Sequence, residues 1–360
     1  MLKLAMAKSP MDRFWELVTH DVGIDLGTAN TRISVKGQSE VICEPSVVAM
    51  NTRTREVLAV GVEARRMIGR TPGNIIAVRP LQDGVISDFD TTEAMVRYFI
   101  RKVHKKFPKL FGIIRPRVVI GIPSGITEVE GRAVVDAAVS AGARKAYIIE
   151  EPMAAAIGSR LPIEDASGSM IIDIGGGTSD IAVISLGGVV IDNTIRVAGD
   201  EMDQQLVAYA RSEYGLLIGE KQAEDLKIAI GTAVKIPELE NEKRIIKGRD
   251  INTGLPRKVE VSTAEVRTAL LKVIKQILQA AKDAIEKTPP EILSDLLDRG
   301  IVLAGGGALI KGIDKYFEKH LEVPVIISED PIMAVLRGTE ILLDEIDLLE
   351  KIQVKDHEII

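Results

Sequence analysis

Ile24-Asp25-Leu26-Gly27-Thr28-Ala29-Asn30-Thr31 lies over Ile172-Asp173-Ile174-Gly175-Gly176-Gly177-Thr178-Ser179, 148 positions further on, without a gap. Each copy is an apolar run, an aspartate, a turn of small residues and a second apolar run: Ile33-Ser34-Val35 in the first, Ile181-Ala182-Val183-Ile184 in the second. Apolar β-formers on both sides of a Gly, Thr or Asn turn read as a strand-turn-strand hairpin, with the carboxylate where the first strand ends. Backbone N–H groups of such a turn can converge on an anion, and the aspartate is placed to hold a cation, directly or through its waters. A nucleotide triphosphate with its magnesium ion requires both at once. Two copies suggest two half-molecules closing on one ligand.

At 360 residues the chain exceeds the length at which one hydrophobic core stops growing, so two or more domains are expected. Its 46% apolar content is enough to build them. A net charge of -6 argues against a general nucleic-acid binder. Cys43 is the one cysteine, so no intramolecular disulfide framework exists, which fits a reducing cytoplasm. No apolar stretch reaches the roughly 20 residues needed to span a bilayer. Lys8, Asp12, Arg13 and Glu16 interrupt what would be the apolar core of a secretory signal. A soluble or peripherally attached protein is expected.

Strands are expected at 22–26, 31–36, 47–50, 118–122 and 146–149, and helices at about 91–106, 128–141 and 152–159, the last opened by Pro152. Strands alternate with helices in both halves, which predicts an α/β architecture with helices packed on mixed sheets. Residues 201–261 read as an inserted subdomain, with helices at about 201–213 and 221–232 followed by a charged stretch from Pro237 to Pro256. Ser262 and Glu265 form a capping box for a long helix with Val266, Leu270, Val273, Ile277 and Ala281 at helical spacing. Pro289-Pro290 is expected to end it. Gly300 to Ala304 forms a strand running into Gly305-Gly306-Gly307, which opens a helix.

One glycine-rich turn is a weak signal, because such turns also merely close hairpins. Three, each ending an apolar strand and two bearing an aspartate, favour a nucleotide. There is no G-x-x-x-x-G-K-[ST] and no G-x-G-x-x-G between strand and helix, so a P-loop enzyme and a Rossmann dehydrogenase are disfavoured.

Asp25 to Thr31, Ile149-Glu150-Glu151-Pro152-Met153-Ala154-Ala155-Ala156, Asp173 to Thr178 and Leu303-Ala304-Gly305-Gly306-Gly307 resemble the two phosphate loops, connecting helix and adenosine motif of the actin/Hsp70/hexokinase superfamily. Within it the chain resembles the MreB family, the bacterial actins of rod-shape maintenance. Gly69 to Asn74, Arg79-Pro80 through Ile86, Val197 to Asp203 and Glu286 to Glu291 also fit, and the match runs from about residue 21 to about 350.

The resemblance implies an actin-like fold, two large domains each with a smaller subdomain around a central ATP cleft. It implies subdomain IA in 1–48 (with an amphipathic segment 1–20) and 83–165, IB in 49–82, IIA in 166–201 and 267–331, and IIB in 202–266. Residues 332–360 would return to IA. Gly27, Thr28, Ala29 and Asn30, with Gly175, Gly176, Gly177 and Thr178, would hold the phosphates of ATP or ADP. Asp25 and Asp173 would reach Mg²⁺, through water. Glu151 matches the position that orients or activates the attacking water, assisted by Thr178, which suits phosphoryl transfer. Without the resemblance, Glu151 is simply an acid at a helix N-terminus, favourable to the dipole by ~0.3–1 kcal/mol. Glu224 and Lys227 match the pair flanking base and ribose, and Gly305, Gly306, Gly307 and Ala308 would close the opposite wall. Taken alone, Glu224 and Lys227 are an ordinary i,i+3 ion pair. Arg32 departs from the family, whose members usually carry an apolar residue there. It either reaches the phosphates or lies on a solvated strand.

From Arg101 to Arg117 the chain carries Arg101, Lys102, Lys105, Lys106, Lys109, Arg115 and Arg117 with no acid, and between them Phe107, Leu110 and Phe111. A basic rim with an apolar tip suits anionic lipid. A second amphipathic segment places Met11, Phe14, Trp15 and Val18 on one helical face, and Trp15 is the one tryptophan. Packing onto the protein itself or a partner subunit is the alternative for both. MreB relatives show an apolar membrane loop at the place of Leu110-Phe111, which favours lipid there. The resemblance thus implies a weak ATPase coupled to assembly of paired antiparallel filaments of the chain itself on the inner face of the cytoplasmic membrane. There it would orient membrane proteins of the wall-elongation complex and contact no nucleic acid. An Hsp70-like chaperone would need a peptide-binding domain that the sequence does not offer. A small-molecule kinase would need an acceptor pocket with a positioned base.

Overall fold

A computed structural model describes residues 19–82, 84–107 and 115–352. The predicted lipid contacts Phe14, Trp15, Leu110 and Phe111 lie outside these residues. The chain forms two compact units. One comprises Met1–Ile122, Ile126–Glu150 and Thr339–Ile360, and the other Pro123–Gly125 and Glu151–Gly338.

The first unit is built on a five-stranded sheet in the order Lys145–Glu150, Arg117–Ile122, Val22–Leu26, Asn30–Val35, Ile42–Pro45. Val22–Leu26 pairs parallel with Arg117–Ile122 and antiparallel with Asn30–Val35. Directly opposed residues of an antiparallel pair project from the same face. Asp25 stands across from Arg32, and Arg32 across from Cys43, so the three form one row over three strands. Helix Phe89–Lys106 buries Met95, Val96, Phe99, Ile100 and Val103, and these join Ile24, Leu26, Ile120 and Ile148 in one core. Burying each such side chain is worth about 1.5–3 kcal/mol. Asp88 caps the helix, accepting from the Thr91 amide at 2.8 Å. A smaller sheet, Val57–Val60, Val48–Asn51 and Ile75–Val78, closes over its own core of Val47, Ala49 and Ala64.

The second unit repeats the arrangement. Ser169–Ile174 is central, antiparallel to Ser179–Ser185 and parallel to Ile301–Ala304, with Gly188–Ile195 and Val325–Ile327 at the edges. The capping box of Ser262 and Glu265 opens helix Thr263–Lys287, in which Val266, Leu270, Val273, Ile277 and Ala281 are all buried. Two expectations are corrected here. Pro289-Pro290 does not only end that helix: Pro290 also starts another, Pro290–Arg299, because its fixed φ suits a first turn. The charged stretch after Pro237 holds the antiparallel strands Lys243–Asp250 and Pro256–Ser262, and most of their residues are exposed on both faces.

The division into units also differs from the expected boundaries. Glu151–Gly158 belongs with the second unit, ahead of position 166, because this fully buried helix packs on Ser169–Ile174 and Ser179–Ser185. The return to the first unit begins at Thr339 rather than 332.

The basic stretch is less uniform than its sequence suggests. Arg117 is buried, its guanidinium and amide both held by Asp21 at 2.7–2.9 Å, so it does not belong to an exposed rim. Lys102 pairs with Glu44, and Lys106 with Glu40 at 2.6 Å. Phe107 packs against the core, edge-on to His20 at 6.3 Å. Arg101, Lys105 and Arg115 stay exposed.

Candidate functional site

In the first hairpin the strand Val22–Leu26 delivers a buried Asp25 next to the turn Gly27 to Ala29. Ser46 braces that turn: its hydroxyl donates to the Gly27 carbonyl at 2.6 Å and its amide to the Ala29 carbonyl at 3.1 Å. Thr31 Oγ1 completes the brace at 2.9 Å from Ser46 Oγ. The Gly27 and Ala29 carbonyls are thus tied into the protein, and no backbone carbonyl among the described residues takes the amides of Thr28 and Ala29. Such a turn presents N–H groups to an anion.

The second hairpin achieves the same with different braces. Gly175 donates to the Thr178 carbonyl at 2.9 Å, while the carbonyls of Gly175 and Gly176 accept from the amides of Gly199 and Asp200 at 3.2 and 2.7 Å. Those two amides open helix Gly199–Tyr214, so the helix start fixes the turn. The third glycine turn lies against the same place. A Cβ on Gly305, whose φ is +78°, would fall 2.3 Å from Asp173 Oδ1 and from the Ile174 carbonyl. Asp173 is buried there, beside the turn Gly175 to Thr178.

Opposite Asp173 in the ladder stands Asp180. Burial pushes its carboxyl up to about 6, against hydrogen bonds from Thr194, Thr178 and the Ser124 amide. Thr194 Oγ1 donates at 2.7 Å. Thr178 is thus oriented by Asp180, a residue the sequence reading gave no role. Opposite Asp25 stands Arg32, with Nη1 3.0 Å from Asp25 Oδ2. Burial still raises the Asp25 carboxyl above its usual range, with Arg32 acting the other way.

Glu224 and Lys227 each have a partner of their own. Glu224 takes Lys221 at 3.0 Å, whereas Lys227 donates to the Gly199 carbonyl at 2.8 Å and faces Asp203 at 2.9 Å. Lys227 therefore reaches the second turn through the start of its bracing helix. Burial lifts Asp203 to about 6, with Lys227 opposing the shift. Its place in Val197 to Asp203 was the available signal, and the structure supplies its partner. Ser46 had none, being an isolated serine between strands.

Glu151 is the first residue of its helix and is buried. Among the described residues no three metal-ligating side chains converge. A buried aspartate beside a glycine turn would fit a Mg²⁺ ion that keeps most of its water ligands, and Asp173 is so placed beside Gly175 to Thr178. Asp25 already has a cation beside it.

The profile of the MreB/Mbl protein family matches residues 19–351. The chain belongs to the MreB/Mbl family. It is 49% identical over 335 residues to the cell shape-determining protein Mbl of Bacillus subtilis (strain 168), covering 93% of this chain and 99% of that one. The cell shape-determining protein MreB of Escherichia coli (strain K12) is 45% identical over 342 residues, covering 94% and 97%. The crystal structure of MreB 5 of Spiroplasma citri bound to AMPPNP superposes with a TM-score of 0.84 at 39% identity, covering 91% of this chain and 97% of that one. The fold is the α/β, actin-like one of MreB.

Proposed function

We propose that the chain is a cytoskeletal ATPase of cell shape, binding ATP on its two turns and hydrolysing it slowly as it assembles with copies of itself. The observation that carries this is the repeated hairpin: in both units a buried aspartate near the end of the central strand stands beside a turn with carbonyls tied into the protein, Gly27 and Ala29 in one and Gly175 and Gly176 in the other. Family membership and the AMPPNP-bound relative support the nucleotide. Gly27 to Asn30 and Gly175 to Thr178 surround the phosphate oxygens, with the Gly175 amide kept inside its own turn, while Gly305 to Ala308, Glu224 and Lys227 border the adenosine. Mg²⁺, when bound, neutralises phosphate charge. Glu151 orients the attacking water, and Asp180 holds the Thr178 hydroxyl in place beside it.

Glu151→Ala separates hydrolysis from assembly. Phosphate release should fall by about 100-fold or more, the worth of a positioned base, while ATP-dependent light scattering persists. Filaments in electron micrographs would distinguish this from rapid phosphorylation of a small acceptor by a kinase. Normal phosphate release from the variant would remove Glu151 from the mechanism.

The filaments are proposed to be paired and antiparallel and to lie on the inner face of the cytoplasmic membrane, orienting wall-elongation proteins. No helix among the described residues is long and apolar enough to cross a membrane. Attachment is assigned to Leu110-Phe111, flanked by exposed Lys105 and Arg115, with the segment holding Phe14 and Trp15 as a second contact. Leu110→Ser with Phe111→Ser should lose co-sedimentation with anionic liposomes. Pelleting as well as wild type would overturn the loop assignment.

A further inference from the structure

The two hairpins are equivalent in register and opposite in charge. Seven residues after its aspartate, each places one side chain directly across the ladder: Arg32 faces Asp25, and Asp180 faces Asp173. Side chains so opposed are the closest neighbours a strand residue has on its own face. In the first hairpin the result is an ion pair at 3.0 Å, with Arg32 only 19% and Asp25 7% exposed. In the second the facing acid is instead hydrogen-bonded by Thr194, Thr178 and the Ser124 amide. The first copy therefore carries a cation directly across its ladder.

We propose that Arg32 is the resident counter-ion of the first phosphate turn, standing at the Asp25 carboxylate in place of a divalent metal. A guanidinium has five N–H donors in a fixed fork, of which one is spent on Asp25. The carboxylate it holds lies beside the turn, Asp25 Oδ1 standing 3.5 Å from where a Cβ on Gly27 would be. Arg32 thus lets a polyanion approach a buried carboxylate without a metal ion between them. This deepens the ATP reading and rests on it. It also removes Asp25 from the Mg²⁺ ligands that the family resemblance implied.

The test is ATP affinity of the full chain by calorimetry, with Mg²⁺ and with EDTA, below the concentration of assembly. Arg32→Gln keeps a donor toward Asp25 and removes the charge. Its affinity should fall about tenfold to a hundredfold in EDTA, the worth of a charge-assisted hydrogen bond, and by less than about threefold with Mg²⁺, which then supplies the missing charge. Arg32→Lys, which restores a cation, should recover most of the EDTA affinity. Equal losses in both conditions, or no loss in either, would overturn the counter-ion role and leave Arg32 a structural pair. If Arg32→Gln does not fold, Arg32→Lys decides alone: affinity in EDTA within about threefold of wild type supports the role, and a larger loss there than with Mg²⁺ overturns it. A wild-type chain that binds no ATP in either condition would overturn the ATP reading itself.

Discussion

Gly338→Ala lowers the stability of the second unit, although alanine is the better helix former. Helix Ala334–Asp344 passes helix Glu151–Gly158 so closely that a Cβ on Gly338 would stand 1.9 Å from the Ala154 carbonyl oxygen. Gly158 makes the reciprocal approach, 1.9 Å from the Ala334 carbonyl. Both obstacles are backbone, so no rotamer change relieves them. Propensity alone predicts a gain of about 1 kcal/mol from this substitution. Overpacking predicts a loss of about 1–3 kcal/mol or more. The two effects have opposite signs, which makes a urea or thermal unfolding curve decisive: a raised midpoint would refute the close crossing. Because the displaced helix begins at Glu151, phosphate release should fall in Gly338→Ala as well.

Asp21→Ala should cost the first unit about 3–5 kcal/mol, the penalty for stripping one partner from a buried pair. Asp21 accepts from the Arg117 amide at 2.8 Å, from Arg117 Nε at 2.9 Å and Nη2 at 2.7 Å, and lies 3.3 Å from Arg144 Nη2. Its loss leaves a buried guanidinium and a buried amide at the start of strand Arg117–Ile122, next to the strand that carries Asp25. Against a total stability of about 5–15 kcal/mol this approaches unfolding. Chemical denaturation measures it, and a loss under about 1 kcal/mol would show that water replaces the carboxylate.

The sequence displayed what local pattern encodes. Both hairpins, the capping box at Ser262 and the apolar stripe of Thr263–Lys287 could be read because each is set by neighbours within a turn or a ladder. The strands Lys243–Asp250 and Pro256–Ser262 were invisible, since only Ile246, Asp250 and Val261 in them are buried and no alternation survives. Arg117 looked like part of a basic run because its acid lies 96 residues away. The same distance effect hid Ser46, whose contacts are with a turn 19 residues back, and the Lys227 link to Gly199. Arg32 was open to two readings, and its cross-strand partner supplied a third.

The row Asp25, Arg32, Cys43 gives the molecule a natural observation post. Cys43 is exposed and is the one thiol in the chain, so a maleimide dye attaches at a single known point without any engineered residue. That point is two strands from Asp25, about 10 Å at the usual strand spacing. A fluorophore there lies close enough to sense a charged ligand settling on the first turn.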